Sequence, residues 1–379
     1  MSAKKVLLMY ISNVSGHRHA SLAIQKALQE VDGAVQTKSI DAFNYTNPFL
    51  EKFINKLYTF VIKSVPRIWD YLYDNEDVLA RVRKTRSLIH RLNEKKIKEL
   101  FDDFRPDIVV CTQAFPCGMV ADYKRRYNLN TPLIGVLTDY APHGYWLNDF
   151  VDVYIVPTQE IKRKLVQRGI PQQRLRVLGI PIDSKFSNPG NPGEILRRLG
   201  LDSNLPAILI MGGGQGLGPI KEIVRALDTL RRPVQLIVAC GTNRSLYKWL
   251  KRKGPLFNKP VAVMDYTERI DDLMSVSSFI VTKPGGLTSA EALSKSLPII
   301  IVSPLPGQES LNTCFLLETG VALKVDSFAE LRSLAEELLS DTARLEKLRR
   351  RAHAAAITDS AQKSAQLILS MIGEPRFNS

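Results

Sequence analysis

The stretch FIVTKPGGLTSAEALSKSLPIIIVSPLPGQESLN, residues 279–312, decides the fold that we expect for this chain. Apolar runs at 279–282 and 299–302 predict two buried strands, and the segment between them predicts a helix that follows a glycine turn. A strand, a helix and a second strand in this order are typical of a βαβ unit with a parallel sheet. We expect Thr288 to cap the helix and Glu291, three residues later, to complete a capping box.

The turn before this helix predicts an anion site. Gly285 and Gly286 allow backbone N–H groups to approach a phosphate, and a helix N-terminus carries about half a positive charge. A diphosphate fits such a site, and Glu291 would then accept hydrogen bonds from ribose hydroxyls. Gln308 and Glu309 follow the second strand in a polar loop, where an amide beside a carboxylate suits carbohydrate hydroxyls. The structural alternative is an ordinary βαβ unit without a ligand, in which Glu291 only caps the helix.

The segments KPGGLTSAEAL and LPIIIVSPLPGQESLN resemble the nucleotide-sugar-binding segment of the monogalactosyl- and processive diacylglycerol glycosyltransferases, relatives of the MurG-type enzymes. The resemblance extends over nearly the whole chain. It implies an α/β fold with two Rossmann-like doubly wound domains facing across a cleft, the GT-B architecture. We expect an acceptor- and membrane-binding domain at 1–190, a UDP-sugar-binding domain at 191–360, and a C-terminal helix at 361–379 that packs back on the first domain.

Composition is that of a globular protein without membrane spans. The chain has 379 residues, which favours two domains, and no apolar run approaches the roughly 18 residues of a spanning helix. The four cysteines form no CxxC pair, so we expect reduced thiols and a cytoplasmic protein. The net charge of +14 predicts an anionic partner. Residues 1–190 hold 28 basic and 19 acidic side chains, so the excess is larger in this half.

A histidine follows the first predicted strand, at 6–11. His17 lies where that strand ends and a helix begins, and the positive helix end disfavours a protonated imidazole. Taken alone, such a histidine is more often a helix-end hydrogen-bonding group than a base. In the resembling family the loop ends in Gly-His and the histidine is the proposed base, which Gly16-His17 matches, although residues 13–15 replace a glycine-rich run. No GxGxxG follows the strand, which argues against a dinucleotide cofactor.

Asp139 and His143 follow another predicted strand, at 132–137. An aspartate and a histidine four residues apart at a strand end are candidates to orient an acceptor or to support His17. The Thr-Asp…His…Trp pattern also matches the resembling family. The structural alternative is that Asp139 caps the loop.

The resemblance extends donor binding to further loops of the second half. GGGQGLGPI, at 212–220, is close to the family's form, and Tyr266 is our candidate contact for uracil. The full set of donor-binding candidates is Gly213, Gly214, Gln215, Gly241, Asn243, Tyr266, Lys283, Gly285, Gly286, Leu287, Thr288, Glu291, Gln308 and Glu309.

Residues 44–100 interrupt the alternation of strands and helices and combine aromatic with basic side chains. Helices of this composition lie in membrane interfaces, attracted by anionic lipid. The family is thought to meet its lipid acceptor and the membrane here, so we select Phe53, Leu57, Trp69, Arg81, Arg83, Lys84 and Arg86. The alternative is a pair of ordinary amphipathic helices with solvated basic residues. No nucleic-acid-binding motif is present, so we expect no nucleic acid partner.

The resemblance predicts transfer of a hexose from a UDP-sugar to diacylglycerol or a glycosylated diacylglycerol, with inversion, at the inner face of the cell membrane. No Asp-x-Asp is present and a helix end can neutralise diphosphate, so we expect no obligatory metal and no cofactor. Alternatives are transfer of N-acetylglucosamine to a polyprenyl-linked acceptor, as in MurG, and a UDP-sugar epimerase of the same fold. A nucleic-acid- or membrane-binding protein with a relict fold is the non-enzymatic alternative.

Overall fold

The computed structural model describes residues 3–12, 14–46, 90–91, 93–141, 144–305 and 307–372. The chain divides into two compact units, each with its own sheet. The first unit comprises Met1–Asp183, Pro306–Gln308 and Asp359–Ser379, and the second comprises Ser184–Leu305 and Glu309–Thr358. The run at 184–193, which contains two Asn-Pro pairs, belongs to the second unit, where Phe186 is buried.

The first unit is built on six parallel strands. They are β1 (Lys5–Tyr10), β2 (Gln36–Asp41), β3 (Ile108–Cys111), β4 (Leu133–Val136), β5 (Val153–Val156) and β6 (Leu175–Val177). The helices between them are α1 (Gly16–Val31), α2 (Ala42–Thr46), α3 (Glu94–Phe104), α4 (Ala114–Tyr127) and α5 (Gln159–Gln167). The strand order is β2-β1-β3-β4-β5-β6, so the direction of winding reverses between β1 and β3.

The second unit has six more parallel strands. They are β7 (Ala207–Met211), β8 (Gln235–Ala239), β9 (Val261–Met264), β10 (Ser277–Thr282), β11 (Ile299–Val302) and β12 (Ala322–Val325). Its helices are α6 (Pro192–Leu199), α7 (Ile220–Asp228), α8 (Arg244–Lys253), α9 (Ile270–Ser275), α10 (Gly286–Ser294), α11 (Gln308–Glu318), α12 (Phe328–Ser340) and α13 (Thr342–Ala355). The strand order is β12-β11-β10-β7-β8-β9, and the reversal lies between β7 and β10.

The last helix, α14 (Ser360–Ser370), belongs to the first unit and packs on α1. Together α1 and α14 cover one face of the first sheet, with Ile24, Leu28 and Ile368 fully buried. The other face is covered by α3, α4 and α5. Strands that are covered on both faces read as continuous apolar runs, which is why IVVC and VYIV are recognisable in the sequence.

The predicted fold class, an α/β protein with two doubly wound sheets, is confirmed. All five residues of β7 are buried, and so are all four of β11, as their unbroken apolar runs predict. One local prediction was wrong, because the segment after β11 does not stay a polar loop. Helix α11 begins at Gln308, so Gln308 and Glu309 are its first two residues.

None of the helices that the structure describes is long and apolar enough to cross a membrane.

Candidate active site

His17 lies at the point where the first sheet reverses its winding. It is the second residue of α1, directly after β1, and its ring contacts the residues that follow β3 and β4. Nδ1 is 3.0 Å from the carbonyl oxygen of Thr112 and 2.7 Å from the Thr138 hydroxyl. In open α/β sheets, ligands bind beyond the carboxyl ends of the strands at such a reversal. The histidine therefore occupies the position where this fold places its chemistry.

These two contacts determine the tautomer of His17. A backbone carbonyl can only accept a hydrogen bond, so Nδ1 carries the proton and donates it to Thr112. The lone pair of the neutral ring is then on Nε2, which has no hydrogen-bond partner among the described residues. The Thr112 hydroxyl donates to the carbonyl of His17 at 2.8 Å, so the first turn of α1 is tied to the end of β3. The ring is thus held with its basic nitrogen available.

The environment also keeps the imidazole neutral. Burial lowers the pKa of His17 from 6.5 to about 4, although the hydrogen bond to the Thr112 carbonyl acts in the opposite direction. The prediction of a neutral imidazole agrees with this direction, but burial, not the helix end alone, is its principal cause. At neutral pH His17 can accept a proton from a hydroxyl group.

Of the predicted pair Asp139 and His143, the structure describes only Asp139. Thr138 and Asp139 follow β4, and the Asp139 carboxylate accepts a hydrogen bond from the side-chain amide of Gln308, which is grouped with the first unit. Thr138, and not the carboxylate beside it, is the side chain bonded to Nδ1 of His17. His143 lies outside the described residues.

In the second unit, the glycine-rich loop after β7 is interlocked with the loop after β8. A Cβ on Gly216 would lie 1.9 Å from the carbonyl oxygen of Cys240, and a Cβ on Gly241 would lie 2.2 Å from that of Gly214. Asn243 donates to the Gly216 carbonyl at 3.0 Å while its Oδ1 caps α8. These glycines are therefore required by close packing between two loops of the same unit.

The N-terminus of α10 lies at the reversal of the second sheet, next to the loop after β7. The helix begins at Gly286, with Gly285 as its N-cap residue and no side-chain hydrogen bond to the cap. The predicted Thr288 cap and its capping box with Glu291 were therefore wrong. A glycine N-cap starts the helix three residues earlier, at Gly286, which places Thr288 inside the first turn.

This early start has a consequence for anion binding. The N-cap residue Gly285 has no side chain to cap α10, and a Cβ at this position would meet no atom within 4 Å. The N–H groups of Gly286, Leu287 and Thr288 belong to the first turn, which has no partners within its own helix. Together with the helix dipole, this turn is suited to bind a diphosphate.

Two contacts join the turn before α10 to the start of α11. Nζ of Lys283 is 2.5 Å from one carboxylate oxygen of Glu309, whose other oxygen accepts from the backbone N–H of Leu305 at 2.9 Å. The fully buried Asn312 donates from Nδ2 to the Pro284 carbonyl at 3.0 Å. Within the second unit, the predicted diphosphate turn is thus tied to Glu309 and to Asn312 of α11.

The remaining donor candidates are spread along the same edge of the second sheet. Gly213 has a positive φ of 69° and lies beside the Lys283 side chain, and Gln215 is exposed. Tyr266 follows the edge strand β9 with 37% of its surface exposed, so its ring is accessible. Glu291 is partly buried in the second turn of α10. Their roles in ligand binding stay predictions.

Two further predictions concern the membrane and metals. The seven membrane and acceptor candidates between Phe53 and Arg86 lie outside the described residues. In the part of the chain that the structure describes, no group of three or more His, Cys, Asp or Glu side chains is placed to hold a metal ion. The expectation that no metal is obligatory stays a prediction.

Sequence reasoning did not assign three residues that hold the site together: Thr112, Thr138 and Asn312. Thr112 follows the apolar run of β3 and Thr138 follows the predicted strand at 132–137, and their polar character at strand ends was the available signal. Asn312 lies one turn after Gln308 and Glu309, where helical spacing would have placed it on the same face as Gln308.

Comparison with known proteins gives two family models. The model of monogalactosyldiacylglycerol (MGDG) synthase matches residues 17–182, and that of the glycosyltransferase family 28 C-terminal domain matches residues 207–368. The first match begins at His17, and the second includes β7 and α10.

Curated relatives match over most of the chain. A processive diacylglycerol beta-glucosyltransferase of Bacillus cereus (strain G9842) is 30% identical over 349 residues, which cover 90% of this chain and 87% of the relative. The protein of the same name from Bacillus subtilis (strain 168) is 29% identical, over 92% of this chain and 90% of its own. Among solved structures, MurG of Acinetobacter baumannii aligns with a TM-score of 0.62 and 17% identity, over 97% of this chain and 99% of its own. The likeness to MurG is one of fold.

Proposed function

The chain belongs to the diacylglycerol glycosyltransferase family, and from this premise we propose that it transfers a hexose from a UDP-sugar to diacylglycerol or to a glycosylated diacylglycerol. The observation that carries the proposal is the environment of His17, a neutral imidazole at the reversal of the first sheet with Nε2 available. The uncapped N-terminus of α10, at the reversal of the second sheet, supports it independently.

The first unit activates the acceptor. Nε2 of His17 takes the proton of the acceptor hydroxyl as the hydroxyl oxygen attacks the anomeric carbon of the donor sugar. The bond from that carbon to the UDP oxygen breaks, and UDP leaves with the electron pair. One displacement of this kind inverts the anomeric centre, so an α-linked donor yields a β-linked product. Thr112 and Thr138 keep Nδ1 protonated, and therefore keep Nε2 basic, before the transfer.

The second unit binds the donor and stabilises the leaving group. The first turn of α10 donates N–H groups to the diphosphate, and its dipole lowers the energy of the negative charge that develops there. Following the family pattern, Glu291 binds the ribose, Gln308 and Glu309 bind sugar hydroxyls, and Tyr266 lies beside the uracil. The Lys283–Glu309 ion pair and the Asn312 hydrogen bond fix the distance between the phosphate turn and α11.

The place of action is part of the proposal. The acceptor is a membrane lipid, so the protein acts as a peripheral protein at an anionic membrane surface, on the cytoplasmic side where UDP-sugars are made. We propose that the reaction needs no cofactor and no obligatory metal, because the helix end supplies the positive charge that a metal would supply.

The experiment that tests the proposal is UDP release by the full-length protein. UDP-glucose and UDP-galactose are each supplied with and without diacylglycerol in anionic vesicles. We expect release that depends on diacylglycerol, a loss of about 10²- to 10⁴-fold in His17→Ala, and wild-type rates in His353→Ala, which removes an imidazole from α13. UDP affinity should be unchanged in His17→Ala.

Four outcomes would contradict the proposal. Full activity of His17→Ala would show that His17 is not the base. Loss of UDP binding by the folded variant would contradict the division of roles between the units. Release only with a polyprenyl-linked acceptor would favour the MurG-type reaction. Conversion of the UDP-sugar without any acceptor would favour an epimerase.

A further inference from the structure

Helix α8 of the second unit presents a face made only of basic side chains. Its exposed residues Arg244, Lys248, Lys251 and Arg252 follow the spacing i, i+4, i+7, i+8, which places them on one side of the helix. Residues 244–259 contain six basic residues and no acidic one. We call these four side chains the cationic face. Composition alone does not point to the cationic face, because the excess of basic residues is larger in residues 1–190.

The cationic face is not neutralised by acidic side chains of the described residues, although Lys251 Nζ lies 5.7 Å from the ring centroid of Tyr247 on the same helix. None of its four side chains forms an ion pair with another described residue. Like charges at i and i+4, as at Arg244 and Lys248 or Lys248 and Arg252, destabilise a helix. Basic residues in a last turn are favourable to the helix dipole, which accounts for Lys251 and Arg252, whereas Arg244 is in the first turn, where the dipole is unfavourable. The helix dipole therefore does not account for the whole face.

Apolar and aromatic groups border the cationic face. Leu256, in the turn that follows α8, is 71% exposed. Trp249 of α8 contacts two basic side chains of α7. Lys221 Nζ lies 5.1 Å and the Arg225 guanidinium 5.2 Å from its ring centroid. Basic residues beside an exposed leucine and a tryptophan are the composition of surfaces that lie in membrane interfaces.

We propose that the cationic face, with Leu256 inserted beside it, binds the surface of a bilayer that contains anionic phospholipid. Charge complementarity selects an anionic occupant, and the exposed leucine favours a lipid surface over a nucleic acid backbone. The inference rests on the proposed function in one respect, since an acceptor dissolved in a bilayer requires the enzyme to stay at its surface. It adds a contact in the second unit, separate from the one predicted for residues 53–86.

The test is the partitioning of full-length protein onto vesicles of phosphatidylglycerol and phosphatidylcholine, measured by sedimentation. The variant Lys248→Gln/Lys251→Gln/Arg252→Gln removes three charges from exposed positions. The matched control Arg332→Gln/Lys347→Gln/Arg350→Gln removes three charges from exposed positions of α12 and α13 in the same unit. Pure phosphatidylcholine vesicles and high salt serve as conditions in which the attraction is absent or screened.

We expect the cationic-face variant to lose roughly 100-fold in partitioning onto anionic vesicles, as about 1 kcal/mol per basic residue implies, and the control to lose much less. Leu256→Gln should lose roughly tenfold, and its loss should persist at high salt because it removes apolar contact. Equal losses in the two triple variants would overturn the proposal, since net charge alone would then explain them. Unchanged vesicle binding of the cationic-face variant, with lost affinity for a labelled oligonucleotide, would overturn it in favour of nucleic acid.

A second readout separates this proposal from the proposed function. UDP release with a short-chain, water-soluble diacylglycerol needs no bilayer, so the cationic-face variant should match the wild type there. Loss of that activity would show that the substitutions damage the enzyme and would overturn a purely membrane-binding role. If the wild type itself were inactive with every diacylglycerol, the proposed function would fail while the vesicle result still decided the cationic face.

Discussion

The low pKa of His17 makes the stability of the first unit depend on pH in a way that one substitution can isolate. The native pKa is lowered to about 4, whereas an unfolded histidine titrates near 6.5. Between these values the unfolded chain binds one proton more than the native chain, so stability falls as the pH falls. The contribution of His17 is fully present above pH 6.5 and is lost as the pH approaches 4.

The size of the effect follows from the shift. The difference between 6.5 and about 4, at about 1.4 kcal/mol for each unit, gives an upper limit of roughly 3 kcal/mol. Lowering the pH from 7 to 4.5 should cost about 2 kcal/mol of this through His17 alone. The side chain is partly exposed to water, which reduces the figure.

The assay is urea unfolding at several pH values between 7 and 4.5, compared between the parent protein and His17→Asn. Asparagine keeps an N–H donor for the Thr112 carbonyl but does not titrate. When the free energies of unfolding of the two proteins are subtracted at each pH, the contributions of all other ionisable groups therefore cancel. Both proteins carry Trp249→Phe, because the two remaining tryptophans then lie within the Met1–Asp183 part of the chain and report on the first unit.

Activity provides the second half of this prediction. Turnover should be flat between about pH 6 and 8 and should fall on the acid side toward the pKa near 4. A midpoint near 6.5, or the same pH dependence of stability in the parent and His17→Asn, would refute the argument that burial keeps this imidazole neutral.

Substitutions at four further positions test the site and the loops that support it. Thr138→Val should lower kcat about tenfold with little change in the KM for the UDP-sugar, because the hydroxyl orients the imidazole of His17. Thr138→Ser keeps the hydroxyl and should restore kcat. A rise in KM without a fall in kcat would contradict this role. Gly285→Ala should keep the melting temperature, because its Cβ meets no atom, and should weaken UDP binding measured by calorimetry. Gly216→Ala should instead destabilise the second unit by more than about 3 kcal/mol, since its Cβ would overlap a neighbouring carbonyl oxygen at a residue with positive φ. Asn312→Leu should weaken UDP binding and cost about 1–3 kcal/mol of stability by leaving the Pro284 carbonyl unpaired; unchanged UDP affinity would show that the turn holds its shape without it.

Local sequence predicted best the strands that are covered on both faces, such as β7 and β11, whereas the edge strand β2 is partly exposed and has no apolar run. The run IIIV at β11 is apolar throughout and was placed at its observed bounds, Ile299–Val302. The helix start at α10 and the helix α11 were harder, because glycine, proline and glutamine at 284–286 and 306–308 are compatible with a turn as well as with a helix N-terminus. In both places the position of the helix start decides which N–H groups are available to a ligand.

The sequence by itself determined the fold class, the position of His17 after the first strand, and the glycine turn that precedes α10. These are local properties, set by apolar runs and by the residues that punctuate them. Only the tertiary structure decided which groups hold His17, because Thr112 and Thr138 are 95 and 121 residues away along the chain. They meet the ring because β1, β3 and β4 lie side by side in the sheet, and strand order is set by packing that no local pattern encodes. The tautomer and low pKa of His17 follow from that arrangement.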